Sequence, residues 1–164
     1  MPQDNRKWVN FVCTANICRS PMAEYLFDWE LEKYRAQERY WQPFKGVSSG
    51  VSASTGEFIS PNSLEALEEL GIDASEHRSR MLTQELLDKS CAVFCMTSTH
   101  KMLIEMRYDV PEGRVHLLRD FMPGKVAREV PDPFGSDLHE YRLCRQAIAE
   151  AMPSVFEYLR GLKR

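Results

Sequence analysis

Phe11-Val12-Cys13-Thr14-Ala15-Asn16-Ile17-Cys18-Arg19-Ser20-Pro21 decides how this chain folds and where its chemistry lies. Trp8 to Val12 is an apolar, β-prone run that predicts a buried strand. Pro21 suits the first turn of a helix, where no backbone donor is missed, so a helix is expected to start close to Arg19 or Ser20. Met22, Leu26 and Trp29 then recur at helical spacing. The loop between strand and helix would aim successive backbone N–H groups, and the positive end of a helix dipole, at one point. That point suits an oxyanion, and Cys13 stands at its floor.

The side chains bracketing the loop suit phosphoryl chemistry. An ordinary thiol, with a pKa near ~8.5, is only slightly ionised at neutral pH. At a helix N-terminus, beside a guanidinium and ringed by N–H donors, Cys13 is expected to be mostly thiolate, and the Ser20 hydroxyl could donate to its sulfur. Arg19 offers a planar fork that matches two phosphoryl oxygens at once, which a lysine cannot do. The Cys-X5-Arg spacing is weak alone; the strand before it and the helix after it give it weight. A core cysteine would need no polar, arginine-bearing loop behind it. Asn16, in mid-loop, tolerates left-handed backbone better than most residues.

A thiolate that attacks phosphorus expels a group in need of a proton, and a positioned acid is worth ~10²–10⁴-fold. Val130-Pro131-Asp132-Pro133-Phe134-Gly135 supplies a candidate, one carboxylate held stiffly between two prolines. On these residues alone Asp132 reads equally as that acid or as a turn aspartate capping the next helix. Asp137, with Glu140 three positions on, reads as a first-turn residue of the last helix.

Cys13-Thr14-Ala15-Asn16-Ile17-Cys18-Arg19-Ser20-Pro21-Met22-Ala23-Glu24 resembles the signature of the low-molecular-weight protein tyrosine phosphatases. Val47-Ser48-Ser49-Gly50 looks like that family's second strand end, and Leu70-Gly71-Ile72 with Ser75-Glu76-His77-Arg78 like its middle segment. Phe94-Cys95-Met96-Thr97 looks like its third strand, and Pro131 to Gly135 like its acid loop. The likeness runs in the family's order over most of the chain. It implies a protein phosphatase that works without metal or cofactor through a phosphocysteine. Cys13 would be the nucleophile, and Arg19 with Thr14, Ala15, Asn16, Ile17, Cys18 and Ser20 would cradle the phosphate. Asp132 would be the acid, then the base that activates water. Asn16, Ser49 and His77 would brace the loop, and Cys18 would protect an oxidised Cys13 as a reversible disulfide.

Thr14, Ala15 and Ile17 are expected at the mouth of the pocket, with Phe134 as the opposite wall. An isoleucine and an aromatic ring suit an aryl phosphate. In the family's arginine-phosphatase branch the position of Ile17 is typically threonine, so Ile17 argues for phosphotyrosine. Val51-Ser52-Ala53-Ser54 and Asp132-Pro133-Phe134-Gly135-Ser136 look more like the arginine branch, and Ser54, Thr55 and Gly56 stand where many tyrosine-specific members carry a bulky aromatic. The expected substrate is therefore a phosphotyrosine protein, with phosphoarginine as the alternative. A thiol-dependent arsenate reductase is a remote third. It needs a pair of relay cysteines on a mobile segment, and Cys91 and Cys95 lie along one apolar strand.

The chain's 164 residues suit one domain, 1–164, with a substantial core. Its net charge of −3 gives no reason to expect nucleic acid or an anionic membrane as partner. No apolar run approaches the ~18 residues of a membrane span. Five cysteines, an odd number in an ordinary core-bearing sequence, read as reduced and cytoplasmic. Zinc on Cys91, Cys95 and His100 would have the wrong spacing. A monomer is expected. Strands are expected near 7–12, 44–49, 91–96 and 114–118, and helices near 20–38, 61–70, 83–89, 98–107 and 136–160. Their alternation predicts an α/β fold: a central four-stranded parallel sheet with helices on both faces and the site at the strands' C-terminal edge. Pro153 should kink or split the last helix. Glu32 to Phe44, with Tyr34, Tyr40 and Trp41, reads either as an extended amphipathic helix packed on the core or as a docking edge near the pocket.

Overall fold

Val9 and Phe11 point to one face of the first strand, Trp8 and Val12 to the other, as the two-residue period of a strand requires. The computed structural model describes residues 6–162. Its strands are β1 (Lys7–Cys13), β2 (Phe44–Gly50), β3 (Ser90–Cys95) and β4 (Val115–Leu117), all paired in parallel in the order β2-β1-β3-β4. The helices are α1 (Arg19–Gln37), α2 (Pro61–Glu68), α3 (Gln84–Lys89), α4 (Ser98–Arg107) and α5 (Leu138–Gly161). Every expected element is present, with ends moved by a residue or two.

Both sheet faces are covered. α1, α2 and α5 close over Val9, Phe11, Ala92 and Phe94, while α3 and α4 close over Val12, Val47, Val93 and Cys95. Parallel strands buried on two faces read as nearly continuous apolar runs, and Ala92 to Met96 is one. After β2 the chain passes over β1 to build β3, so the strand order reverses between β1 and β3. Ligands of such sheets bind outside the strands' C-terminal ends at that reversal. Cys13 is the last residue of β1.

Three expectations change. Trp29 is 41 % exposed, whereas Met22, Ala23, Leu26, Phe27 and Leu31 are buried. Two residues beyond Phe27 a helix has turned about 200°, which carries Trp29 off the buried stripe; Lys33 covers its ring instead. Pro153 does not split α5, which runs unbroken from Leu138 to Gly161. Ile148, Ala151, Met152, Val155 and Phe156 are buried on both sides of the proline, and that packing outweighs a cost of ~3 kcal/mol for an interior proline. Finally, Glu32 to Phe44 follows the first of its two readings in part: its aromatics pack on the core, but the helix does not extend through it, and Glu32, Lys33, Gln37, Arg39 and Gln42 face solvent. α1 ends at Gln37, and a short 3₁₀ turn at Arg39–Trp41 leads into β2. Trp41 is fully buried, Tyr34 stacks on Phe156 with ring centres 4.0 Å apart, and the Tyr40 hydroxyl donates to Leu159 O at 2.6 Å. The segment enters the start of β2, at the sheet edge opposite Cys13.

Candidate active site

The loop from Cys13 to Arg19 turns its carbonyls outward. Val51 N donates to Cys13 O at 3.0 Å, Ser52 N to Thr14 O at 2.9 Å and Ser60 N to Ile17 O at 2.8 Å. His77 Nε2 donates to Asn16 O at 2.8 Å, and Ser63 Oγ to Cys18 O at 3.2 Å. With the carbonyls tied to the surroundings, the loop's amides are free to face its centre, as in an anion-binding nest. Gly50 permits this closeness: a Cβ there would lie 2.4 Å from Thr14 O and 3.0 Å from Asn16 N.

Asn16 sits at the loop's turning point with φ 60°, in the left-handed region that asparagine tolerates. Its side-chain amide is fully used. Nδ2 donates to Ser20 Oγ at 2.8 Å and Ser48 Oγ at 2.9 Å, and Oδ1 accepts from Arg80 N at 3.0 Å. The Ser20 hydroxyl lies 3.0 Å from Cys13 Sγ and 3.3 Å from Ser49 O, so its one proton can serve either. The expected bracing serine was Ser49, but its hydroxyl turns to Asn10 Oδ1 at 3.1 Å. Ser48 reaches the loop instead and donates onward to Glu24 Oε1 at 2.6 Å. Adjacent strand residues face opposite sides, so only one of the two serines could do so. Burial pushes the Glu24 carboxyl up to about 7 and holds the His77 imidazole below its usual range.

Arg19 is 4 % exposed. Nη1 donates to Val130 O at 3.0 Å, Nη2 donates to Thr14 Oγ1 at 3.4 Å and lies 3.7 Å from Asp132 Oδ2. Its Nε is buried and has no partner among the described residues. The arginine thus joins the loop to the Val130–Ser136 segment. There Asp132 Oδ1 accepts from Phe134 N at 3.0 Å, which fixes the turn between the prolines. The capping role weighed for Asp132 belongs to Asp137, whose side chain accepts from Glu140 N at 3.1 Å at the start of α5.

These groups surround a cavity of about 360 Å³ lined by Cys13, Thr14, Ala15, Ile17, Cys18, Arg19, Glu57, Asp132 and Phe134. A thiol and a guanidinium form its floor, and Asp132 and Phe134, 68 % exposed, form its rim. Cys18 is buried behind it, with Sγ 3.4 Å from Ser60 Oγ and 3.5 Å from the Tyr141 hydroxyl. Burial raises its thiol above the usual range.

Several neighbours escaped the sequence reading. His100 Nε2 lies 2.9 Å from Thr14 Oγ1, and burial, followed by the charge of Arg19, lowers its pKa to about 4. Position offers its one signal: the helix after β3 must begin at the same sheet edge as Cys13. Ser60, Ser63 and Tyr141 carried none. The groups weighed as zinc ligands are engaged elsewhere, His100 with Thr14 and Cys95 Sγ with the carbonyls of Thr97 and His116. Burial pushes Cys91 up to about 11, and Cys95 and Cys144 up to about 12.

The family model of the low molecular weight phosphotyrosine protein phosphatases matches residues 8–163. The chain is 34 % identical over 154 residues to a protein-arginine-phosphatase of Bacillus subtilis, covering 94 % of this chain and 97 % of that one. It is 30 % identical over 153 residues to an arsenate reductase of Staphylococcus epidermidis, covering 92 % and 96 %. The crystal structure of a low molecular weight protein tyrosine phosphatase from T. tengcongensis superposes with a TM-score of 0.83 at 29 % identity, over 93 % of this chain and 99 % of that one. With fold, loop and sequence in agreement, this chain belongs to the low molecular weight phosphotyrosine protein phosphatase family, whose members are cysteine-dependent hydrolases.

Proposed function

We propose that this protein removes phosphoryl groups from phosphotyrosine in proteins through a phosphocysteine on Cys13. The observation that carries the reading is the meeting of Cys13, Arg19, Asp132, Ile17 and Phe134 around one cavity. The Cys13 thiolate attacks phosphorus in line, forming the S–P bond as the bond to the leaving phenol oxygen breaks. Asp132, as the acid, gives that oxygen its proton. The Asp132 carboxylate then takes a proton from water, whose oxygen attacks phosphorus and returns the thiolate. Arg19 and the loop amides stabilise the charge on the equatorial oxygens, so the reaction calls for no metal or cofactor. Should peroxide convert Cys13 to a sulfenic acid, the Cys18 thiol would condense with it, releasing water and forming a reducible disulfide.

Ile17 and Phe134 give the pocket apolar walls suited to an aryl group. The second reading, a protein-arginine phosphatase with the same machinery, draws on the likeness to the Bacillus subtilis enzyme and on the loops after β2 and around Asp132. An arsenate reductase is disfavoured by Cys91 and Cys95, both held in β3 with thiols pushed up by burial. The five free cysteines support a reducing, cytoplasmic setting, and we take the protein to act as a monomer. Among the described residues no helix is long and apolar enough to cross a membrane.

The test is kcat/KM on one peptide carrying either phosphotyrosine or phosphoarginine, with Cys13→Ser as the blank. Turnover should fall to background in Cys13→Ser while phosphate still binds; substantial residual turnover would remove the nucleophile assignment. Preference for phosphotyrosine sustains the main reading, and preference for phosphoarginine replaces it with the second.

A further inference from the structure

We propose that Glu57 makes the mouth of this cavity selective for phosphorylated residues that have a basic neighbour in the sequence. The inference rests on the protein-phosphatase reading and adds to it a class of substrate. Glu57 follows Gly56, whose φ of +90° marks a turn in the chain after β2, and it lines the cavity. Its backbone is clamped on both sides: Glu57 N donates to Ser79 Oγ at 2.9 Å, and Ser79 N donates to Glu57 O at 2.8 Å. Gly56 N also donates to Ser79 O at 2.8 Å. The carboxylate therefore stands on a fixed stem.

The arginines nearest in sequence and across the cavity are committed elsewhere. Arg78 donates to Ser75 O and His77 O and lies 4.0 Å over the Phe58 ring. Arg80 Nε donates to Ser48 O, and Arg19 is held by Val130 O and Asp132. Among the described residues no ion pair holds Glu57. The phosphoryl charge is answered at the floor by Arg19 and the amides, and Asp132 carries its proton when it acts as the acid, so the negative charge left at the rim is that of Glu57. A lysine or arginine beside the phosphorylated residue meets that field favourably, and an aspartate or glutamate meets it as a like charge. Each exposed pairing is worth only a few-fold, so basic and acidic flanks should differ by about ten-fold at low salt.

The experiment uses peptides identical except for Lys, Ala or Glu on both sides of the phosphorylated residue, each made with phosphotyrosine and with phosphoarginine. Wild type and Glu57→Gln are compared at low and high ionic strength, and each kcat/KM is divided by that for p-nitrophenyl phosphate. Wild type should rank Lys above Ala above Glu, through KM, with a spread that narrows in salt. In Glu57→Gln the spread should shrink to within about two-fold. An unchanged spread in the variant, or none in wild type, overturns the proposal. Whichever phosphorylated residue is accepted, its flank series carries the test. Hydrolysis of p-nitrophenyl phosphate with turnover of no peptide would instead overturn the protein-substrate reading, and this inference with it.

Discussion

Along the floor of the cavity the carbonyls of Cys13, Thr14, Asn16, Ile17 and Cys18 are each tied to another part of the molecule, whereas the wall from Pro131 to Gly135 is anchored mainly at its ends. Val130 N donates to Met96 O at 2.9 Å, Val130 O accepts from Arg19, and Ser136 O accepts from Asn62 Nδ2 at 3.4 Å. Between those points two prolines and the Asp132–Phe134 turn hold the shape. The floor is cross-braced, with Cys13, Asn16, Cys18 and Arg19 buried, and the wall is exposed apart from Pro133. Stabilising charge on phosphorus requires donors already in place before the reaction, because reorganising them would consume the gain. A proton donor needs to reach one leaving atom on a side chain of variable shape, so solvent access and fewer ties suit it. Arg19 connects the two regions, with one nitrogen on Val130 O and another near Asp132.

The contrast can be broken from either side. Asp132→Ala should lower the rate of phosphoenzyme formation by ~10²–10⁴-fold, most for leaving groups of high pKa. Its effect on stability should stay within ~1 kcal/mol, because the half-exposed carboxylate holds only the turn contact to Phe134 N and a 3.7 Å pair with Arg19. Rapid-quench measurement across a series of aryl phosphates would show it, and equal slowing for all of them would count against the acid role. Asn16→Ala should move both quantities. It removes three side-chain hydrogen bonds at a buried turn and puts alanine at positive φ, costing on the order of 2–4 kcal/mol in urea denaturation and about ten-fold or more in kcat/KM. A variant with full stability and lowered activity would mean that the bracing is local to the site. Glu24→Gln should have the smallest effect, visible in its pH dependence. The folded-state pKa of Glu24 is about 7, above its ordinary 4.5, with burial as the first cause. The unfolded chain therefore gives up this proton first. The associated stability is present below about 4.5 and lost as pH rises through about 7. Replacing the carboxyl with an amide should flatten that slope by on the order of 1–2 kcal/mol between pH 5 and 8. A steeper slope in the variant would assign the titration to another group.

Much of the fold was legible because its signals are local. Pro21 in the first turn of α1, Asp137 three residues before Glu140, and apolar strands alternating with amphipathic helices each depend on residues within one element. The likeness to the family added the roles expected of Cys13, Arg19 and Asp132, which spacing alone left open for Asp132. Trp29 lies off the buried stripe and Pro153 leaves α5 unsplit for one reason: propensity and periodicity carry no knowledge of what packs on either side. The fate of Glu32 to Phe44 depended on which end of the sheet it joined, which is a matter of topology.

By itself the sequence determined the strand–loop–helix unit, with a cysteine, an arginine and a turn-forming asparagine in fixed order, because chain geometry over ten residues leaves few ways to arrange them. Tertiary structure decided the rest of the site. Val47-Ser48-Ser49-Gly50 offers two adjacent hydroxyls, and only the placement of β2 beside β1 turns Ser48 toward Asn16 and Ser49 toward Asn10. His100 meets Thr14 across 86 positions of sequence. Arg19 finds Val130 O across 111. Such contacts follow from where a parallel sheet delivers the ends of its strands, a property of the whole assembly that no short stretch encodes.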